Sequence, residues 1–462
     1  MHVKTWAGPR TRGPRCSPTS MNLQQDGCID RAARTRPLPP CRLCVFAPPS
    51  SYRPALHKQR HQRRTEFPVY SGDIRHNRFA TSVLNYTLLE MKLSHTSGHM
   101  NEPAAVKDAS VEQRVNLRHF RERTYPTDER APYHGVSHPD KVWEKALILI
   151  NRCETYGIAI NGDDLRNAIE LHDALAHLPA HMLGFNSAEE LAAKVAFHFL
   201  QGCGYTEAAA SRISNIVMAT NPDVRPVTRE EIIMRAADLW NIGSSYPEFK
   251  EASHALHQEA INSARRDIPF TCWARGAFLH LQRFLWPMLE LTPEAKDEVG
   301  RSTWHTNAIC NLTSLWRETY GEDKPIVAEF FPRGEIQPRM LTPQEFYIAL
   351  HPDEHARGAS MEKIHKEAVV YNGAAFALPA DIGVFPIPNE TCSTFISHDP
   401  SPESLHEAFR VTRKGGTIIV DAPQHMDPRV LEIVQAFRCT TVDRFVENTC
   451  VKTLMIQKEL VL

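Results

Sequence analysis

Apolar positions change their spacing twice along the chain. From about residue 111 they recur three and four apart, over 141–152, 164–171, 187–196, 208–220, 229–240 and 273–289, the period of amphipathic helices. Ser187 with Glu190 has the spacing of a helix-start capping box, and Pro179, Gly184, Pro222 and Pro226 punctuate the helices. Beyond Pro293 short strand-like runs take over, at 324–331, 345–350, 367–372, 393–397, 417–421 and around Thr440 and Thr453. Helical stretches at 404–411 and 429–437 fall between them. Strands alternating with helices imply a parallel, three-layer sheet. The expected architecture is therefore multidomain, α followed by α/β: an all-α domain over 105–300, then an α/β domain over 318–462.

Residues 1–104 show neither period. Residues 1–99 carry 16 Lys and Arg against 5 Asp and Glu, and 10 of the 33 prolines, whereas the remaining chain carries 37 against 49. So little apolar surface cannot offset chain entropy, and the segment reads as disordered and basic. An organelle transit peptide and a nucleic-acid-binding tail are two explanations, but prolines break the amphipathic helix of the first and no aromatic interleaving supports the second. The preferred explanation is a translation start at Met91 or Met100. Four of the 11 cysteines lie in this segment and the others scatter from Cys153 to Cys450 without framework spacing, which points to a reducing cytoplasm. The lone Cys41-x-x-Cys44 pair is read as chance rather than as zinc ligands. No run approaches the ~20 apolar residues of a membrane span.

Candidate chemistry sits in the helical part. Tyr133-His134-Gly-Val-Ser-His138 opens one expected helix, Leu171-His172-Asp173 ends a second, and Arg235-Ala-Ala-Asp238 lies in a third. Imidazole nitrogens with carboxylate oxygens suit a divalent ion that activates water. A carboxylate such as Asp238 in a largely apolar helix needs a cationic partner. His134 and His138 stand four apart on one helical face, so either can ligate.

This ordered His…His-Asp…Asp set, with 187–193, Ile216-Val-Met-Ala-Thr220 and Ala237-Asp238-Leu-Trp-Asn-Ile-Gly243 following in order, resembles the HD-domain superfamily of metal-dependent phosphohydrolases. The resemblance runs from about Tyr133 to Leu289, a third of the chain. It implies His138, His172, Asp173 and Asp238 as metal ligands and His134 as the general acid. The family pattern Tyr-His-Asn-x-x-His is broken here by Gly135. His177, His181 and Asn241 are candidate substrate contacts, although single histidines in a chain with 23 are ordinarily surface or hydrogen-bonded residues. The implied cofactor is a divalent ion (Mn, Fe, Co, Zn or Mg), one or two per chain.

Farther on, Leu405-His-Glu-Ala-Phe-Arg-Val-Thr-Arg-Lys-Gly-Gly-Thr-Ile-Ile-Val resembles the late helix, turn and strand of class I S-adenosylmethionine-dependent methyltransferases. The fold is then expected to be Rossmann-like, over 318–462. The first strand leads into Pro332-Arg-Gly334-Glu in place of a glycine-rich loop, so S-adenosylmethionine is not expected as a cofactor and no cofactor-binding residue is assigned. His351-Pro-Asp353-Glu354 stands where a ribose-binding acid would, and equally reads as an exposed turn.

The expectation is a metal-dependent hydrolase of a small phosphorylated metabolite, with a nucleotide favoured by analogy alone. The alternatives are a non-catalytic nucleotide-binding or regulatory protein and, third, a bifunctional protein that still methylates. No membrane and no nucleic-acid partner is expected, and a homo-oligomer is left open.

Overall fold

The computed structural model describes residues 109–285, 291–331, 344–353, 373–398, 400–422, 427–437, 439–446 and 449–458. The basic N-terminal segment with Cys41 and Cys44, the loop carrying Gly334, Glu354 and the expected strand at 367–372 lie outside them. Among the described residues no helix is long and apolar enough to cross a membrane.

The first six helices are α1 (Ala109–Thr124), α2 (His138–Thr155), α3 (Gly162–Leu171), α4 (Ala188–Gly202), α5 (Glu207–Met218) and α6 (Arg229–Asp238). Their starts follow local chemistry. Asn161, Ser187, Thr206 and Thr228 each accept a hydrogen bond from an amide of the first turn, satisfying donors that the helix cannot pair. The reciprocal box forms at Thr228 and Glu231. At Ser187 it forms by half, because the Glu190 carboxylate reaches back one residue farther, to the Asn186 backbone and side-chain amides at 2.8 Å. In α2 the buried positions Val142, Ala146, Ile150 and Cys153 recur at helical spacing, the stripe visible in the sequence.

The second lobe holds α7 (Tyr246–Ala264), α8 (Phe270–Leu281), α9 (Thr303–Tyr320), α10 (Pro402–Val411) and α11 (Pro428–Gln435) around a sheet. Its strands are β1 (Ile326–Phe330), β2 (Phe346–His351), β3 (Ala374–Pro379), β4 (Cys392–His398), β5 (Thr412–Ala422), β6 (Cys439–Val446) and β7 (Thr449–Gln457). They lie in the order β3-β2-β1-β4-β5-β7-β6. The first five are parallel, and β7 runs antiparallel between β5 and β6. This is a Rossmann-like, doubly wound sheet in which strand order reverses between β1 and β4. Every residue of β1, β2 and β3 is buried, as expected of parallel strands covered on both faces.

Gly415 and Gly416 serve the turn as expected in part. Gly415 takes a φ of +74°, and Gly416 is hemmed in by the Ser393 and Arg413 carbonyls, but both sit inside β5 beside a register shift against β4.

Hydrophobic packing divides the chain elsewhere than near residue 300. One core runs from Leu117 to Ala237, and the other starts at Leu239 and joins Phe249, Phe278 and Trp316 to the sheet. Helices α7, α8 and α9 thus belong by packing to the α/β lobe. Of these, α7 and α9 were not foreseen, nor was β3, and the expected helix at 273–289 is placed at Phe270–Leu281. The second lobe begins one residue after Asp238.

Candidate metal centre

Three helix ends bring four donor atoms together. His138 is the first residue of α2, His172 caps the C-terminus of α3, Asp173 follows it, and Asp238 is the last residue of α6. His138 Nε2 lies 3.5 Å from Asp173 Oδ2 and 3.4 Å from Asp238 Oδ1. His172 Nε2 lies 3.2 Å and 3.6 Å from the same two oxygens. His138, His172 and Asp173 each offer a ligand atom within 4.8 Å of the others.

The two central atoms lack partners of the ordinary kind. His172 Nε2 and Asp173 Oδ2 are buried and close, yet neither makes a hydrogen bond. His172 Nδ1 stands 2.8 Å from the Ile169 carbonyl, and as the donor there it leaves Nε2 with a lone pair facing the cluster, the arrangement seen in metal-ligating imidazoles. The Asp173 amide donates to the Tyr125 hydroxyl at 3.0 Å, and two residues on Leu175 adopts a φ of +65°, a left-handed conformation costly for a branched side chain.

Electrostatics inside the cluster call for positive charge. Burial alone would neutralise the carboxyls, but the surrounding histidines hold Asp173 down to about 2 and Asp238 well below the carboxylate range. Burial pushes His138 below its ordinary value, toward the neutral form a ligand requires. Against the same burial, Asp173 and Asp238 hold His172 protonated well above its ordinary value. Two ionised carboxylates facing two imidazoles are satisfied by a bound cation as well as by that proton. The donor set fits a divalent ion of borderline hardness.

His134 takes a different place. Its Nδ1 lies 2.9 Å from Glu259 Oε1, and its amide donates to Glu259 Oε2 at 3.0 Å. Burial opposes the charged form, yet the Glu259 carboxylate outweighs it and holds His134 protonated up to about 9. The His134 and His138 ring centres are 5.5 Å apart.

Gly135, the departure from the family pattern, is accounted for by space. A Cβ there would stand 2.3 Å from Asp128 Oδ1 and 2.6 Å from the Ala131 carbonyl, and the same Oδ1 accepts from the Ser137 amide at the start of α2. An asparagine does not fit this turn.

The structure brings His134, His138, His172, Asp173 and Asp238 together. Asn241 joins the surroundings, its amide donating to the Tyr133 hydroxyl at 3.4 Å. His177 and His181 are both exposed, outside the quartet. Glu259 and Tyr125 were missed. Helix α7 does announce itself through Ser245, Pro247 and Glu248, which form a capping box with proline in the first turn.

A second polar group lies at the carboxyl ends of β1, β4 and β5. His398 bridges Glu329 and Asp421 at 2.7 Å each, the Tyr347 hydroxyl donates to Glu329 at 2.5 Å, and Phe331 stacks on the His398 ring. Asp353 is exposed and its amide donates to His351 Nδ1, the geometry of a turn.

No family model and no curated protein matches the chain. Solved structures similar to it include a putative S-adenosyl-L-methionine-dependent methyltransferase from Methanococcus maripaludis, at 10% identity over 33% of this chain and 86% of that one, with a TM-score of 0.23. A methyltransferase from Pyrococcus furiosus is similar at 13% identity over 32% and 81%, TM-score 0.21. A type I restriction-modification methyltransferase subunit from Streptococcus thermophilus is similar at 9% identity over 83% and 85%, TM-score 0.22. The expectation that S-adenosylmethionine is no cofactor does not agree with these neighbours, the first of which is described as dependent on it. The glycine-poor loop on which that expectation rested lies outside the described residues.

The His398 bridge makes stability pH-dependent. Burial works against the imidazolium, but Asp421 and Glu329 raise it from 6.5 to about 9. A group raised on folding contributes fully below its unfolded value and loses that contribution as pH rises through the folded one. The melting temperature of the wild type is expected to fall between about pH 6.5 and 9 more steeply than that of His398→Gln, as measured by thermal denaturation. Parallel curves for the two proteins contradict the assignment.

Proposed function

We propose that the helical lobe is a metal-dependent phosphohydrolase of the HD-superfamily type, cleaving a phosphate ester of a small metabolite. The observation that carries this reading is the pair of buried atoms without a hydrogen bond, His172 Nε2 and Asp173 Oδ2, converging with His138 Nε2 and Asp238 Oδ1. These four residues would hold the ion, which supplies Lewis acidity toward water and toward the phosphoryl oxygens. The chain's own contribution is proton handling and placement. His134, kept protonated by Glu259, gives its proton to the departing alkoxide oxygen, while Glu259 fixes the ring through Nδ1 and leaves Nε2 to donate. Asn241 and Tyr133 shape the wall beside it.

The full-length protein should retain bound divalent metal after purification and release phosphate or a phosphomonoester from a panel of mono- and diesters. His172→Ala and Asp173→Ala should lose both metal and hydrolysis while keeping their circular dichroism. A wild type that holds no metal and hydrolyses nothing defeats the reading. Glu259→Gln should keep its metal, lose about 100-fold in kcat, and lose rate at lower pH than the wild type, because His134 then deprotonates nearer 6.5. An unchanged alkaline limb excludes His134 as the acid.

A second reading concerns the sheet lobe. Open parallel sheets bind ligands outside the carboxyl ends of their strands where strand order reverses, and here that place, between β1 and β4, carries the Glu329 group. It favours a protein that also binds S-adenosylmethionine and transfers methyl groups. Titration calorimetry of the full chain with S-adenosylmethionine should then give one site, weakened by Glu329→Gln. No heat at millimolar ligand removes this reading and leaves the first intact.

A further inference from the structure

The segment directly after the ligand Asp238 is held from the other lobe. It runs through Leu239, a 3-10 turn (Trp240–Gly243) and Ser244, and it carries Asn241 of the site wall. The side-chain amide of Asn311, a buried residue of α9, donates to the Ile242 carbonyl at 3.0 Å and to the Ser244 carbonyl at 2.9 Å. One turn earlier, Asn307 donates to the Gly243 carbonyl at 3.2 Å. Another turn back, the Trp304 ring lies so close to Gly243 that a Cβ there would stand 2.4 Å from its Cδ1.

Residues 304, 307 and 311 share one face of α9. The opposite commitments of the same helix, Ile309, Leu312 and Trp316, are in the core that contains the sheet. Both hydrogens of the Asn311 amide are thus spent on carbonyls two residues apart, at the end of a single 3-10 turn. Without them two carbonyls at the base of the ligand loop would need new partners.

We infer that Asn311, seconded by Asn307, is a positioning residue for the metal centre: the α/β lobe fixes, through α9, the backbone that sets Asp238 and Asn241 in place. This inference rests on the metal-site reading above and extends it, since it makes the four-ligand centre dependent on a helix of the other lobe. Residues that orient metal ligands without touching the ion commonly change affinity by about 10–100-fold when replaced.

Mn2+ affinity of the full-length protein, measured by titration calorimetry and by the loss of the free-ion paramagnetic resonance signal, tests it without any substrate. Asn311→Leu keeps the bulk and removes both donors; Asn307→Ala removes the outer one and is the milder variant should the first fold poorly. Phe376→Leu, in β3 of the same hydrophobic core but without a hydrogen bond to the 238–244 segment, reports what general loosening of the lobe does. Weaker Mn2+ binding by about 10-fold or more in Asn311→Leu, a smaller loss in Asn307→Ala and none in Phe376→Leu is the expected result. Wild-type affinity in both asparagine variants overturns the positioning role while leaving the metal site standing. Equal losses in all three variants overturn it as well, since loosening alone then accounts for them. A wild type that binds no Mn2+ defeats the metal-site reading and this inference with it.

Discussion

Two ionised carboxylates and two imidazoles share one buried space in which His138 Nε2 and Asp238 Oδ1 meet at 3.4 Å while His172 Nε2 and Asp173 Oδ2 make no hydrogen bond, and three helix ends meet to hold them there. Buried carboxylates are costly unless a positive charge answers them. For these carboxylates the answer lies where three helix ends meet, α2 beginning and α3 and α6 finishing. Each end is fastened separately: α2 by Asp128 at its amino terminus, α3 by the His172 ring returning to Ile169, and α6 by its capping box at one end and the α9 asparagines beyond the other.

The second consequence is a division of labour among the histidines. His172 and His138 meet carboxylates directly, whereas His134 meets Glu259, which lies on α7 and is 125 residues away in sequence. The first pair faces the two carboxylates of the cluster, and the third is held protonated by a carboxylate of its own. The helical lobe thus meets helices of the other lobe twice, at His134 through α7 and in the segment after Asp238 through α9. The sheet serves as more than an appended domain.

Much of this could be read before any coordinates. Periodicity located the helices that bear His138, His172 and Asp238 because their apolar stripes are regular and their caps local, as at Thr228 and Glu231. The order of those residues singled out four side chains that the structure brings together. What could not be read depends on contacts distant in sequence. Glu259 sits in a helix whose stripe is diluted by Ser253, His254 and His257, and nothing local ties it to His134. Asn311 looks like any polar position until the 3-10 turn it grips is placed beside it. Likewise the Ala-rich β3 lacks the β-branched residues that mark a strand, and becomes one by burial between β2 and the helices.

The central claim is that both histidines and the carboxylates ligate one ion. Nitrogen hyperfine couplings measured by electron-nuclear double resonance on Mn2+ bound to the full-length protein test it most directly. The account requires two imidazole nitrogens at the ion, and one after His138→Gln. Bound Mn2+ showing no nitrogen coupling in the wild type would contradict it, placing the ion on oxygen ligands elsewhere and leaving the four converging donors without their cation.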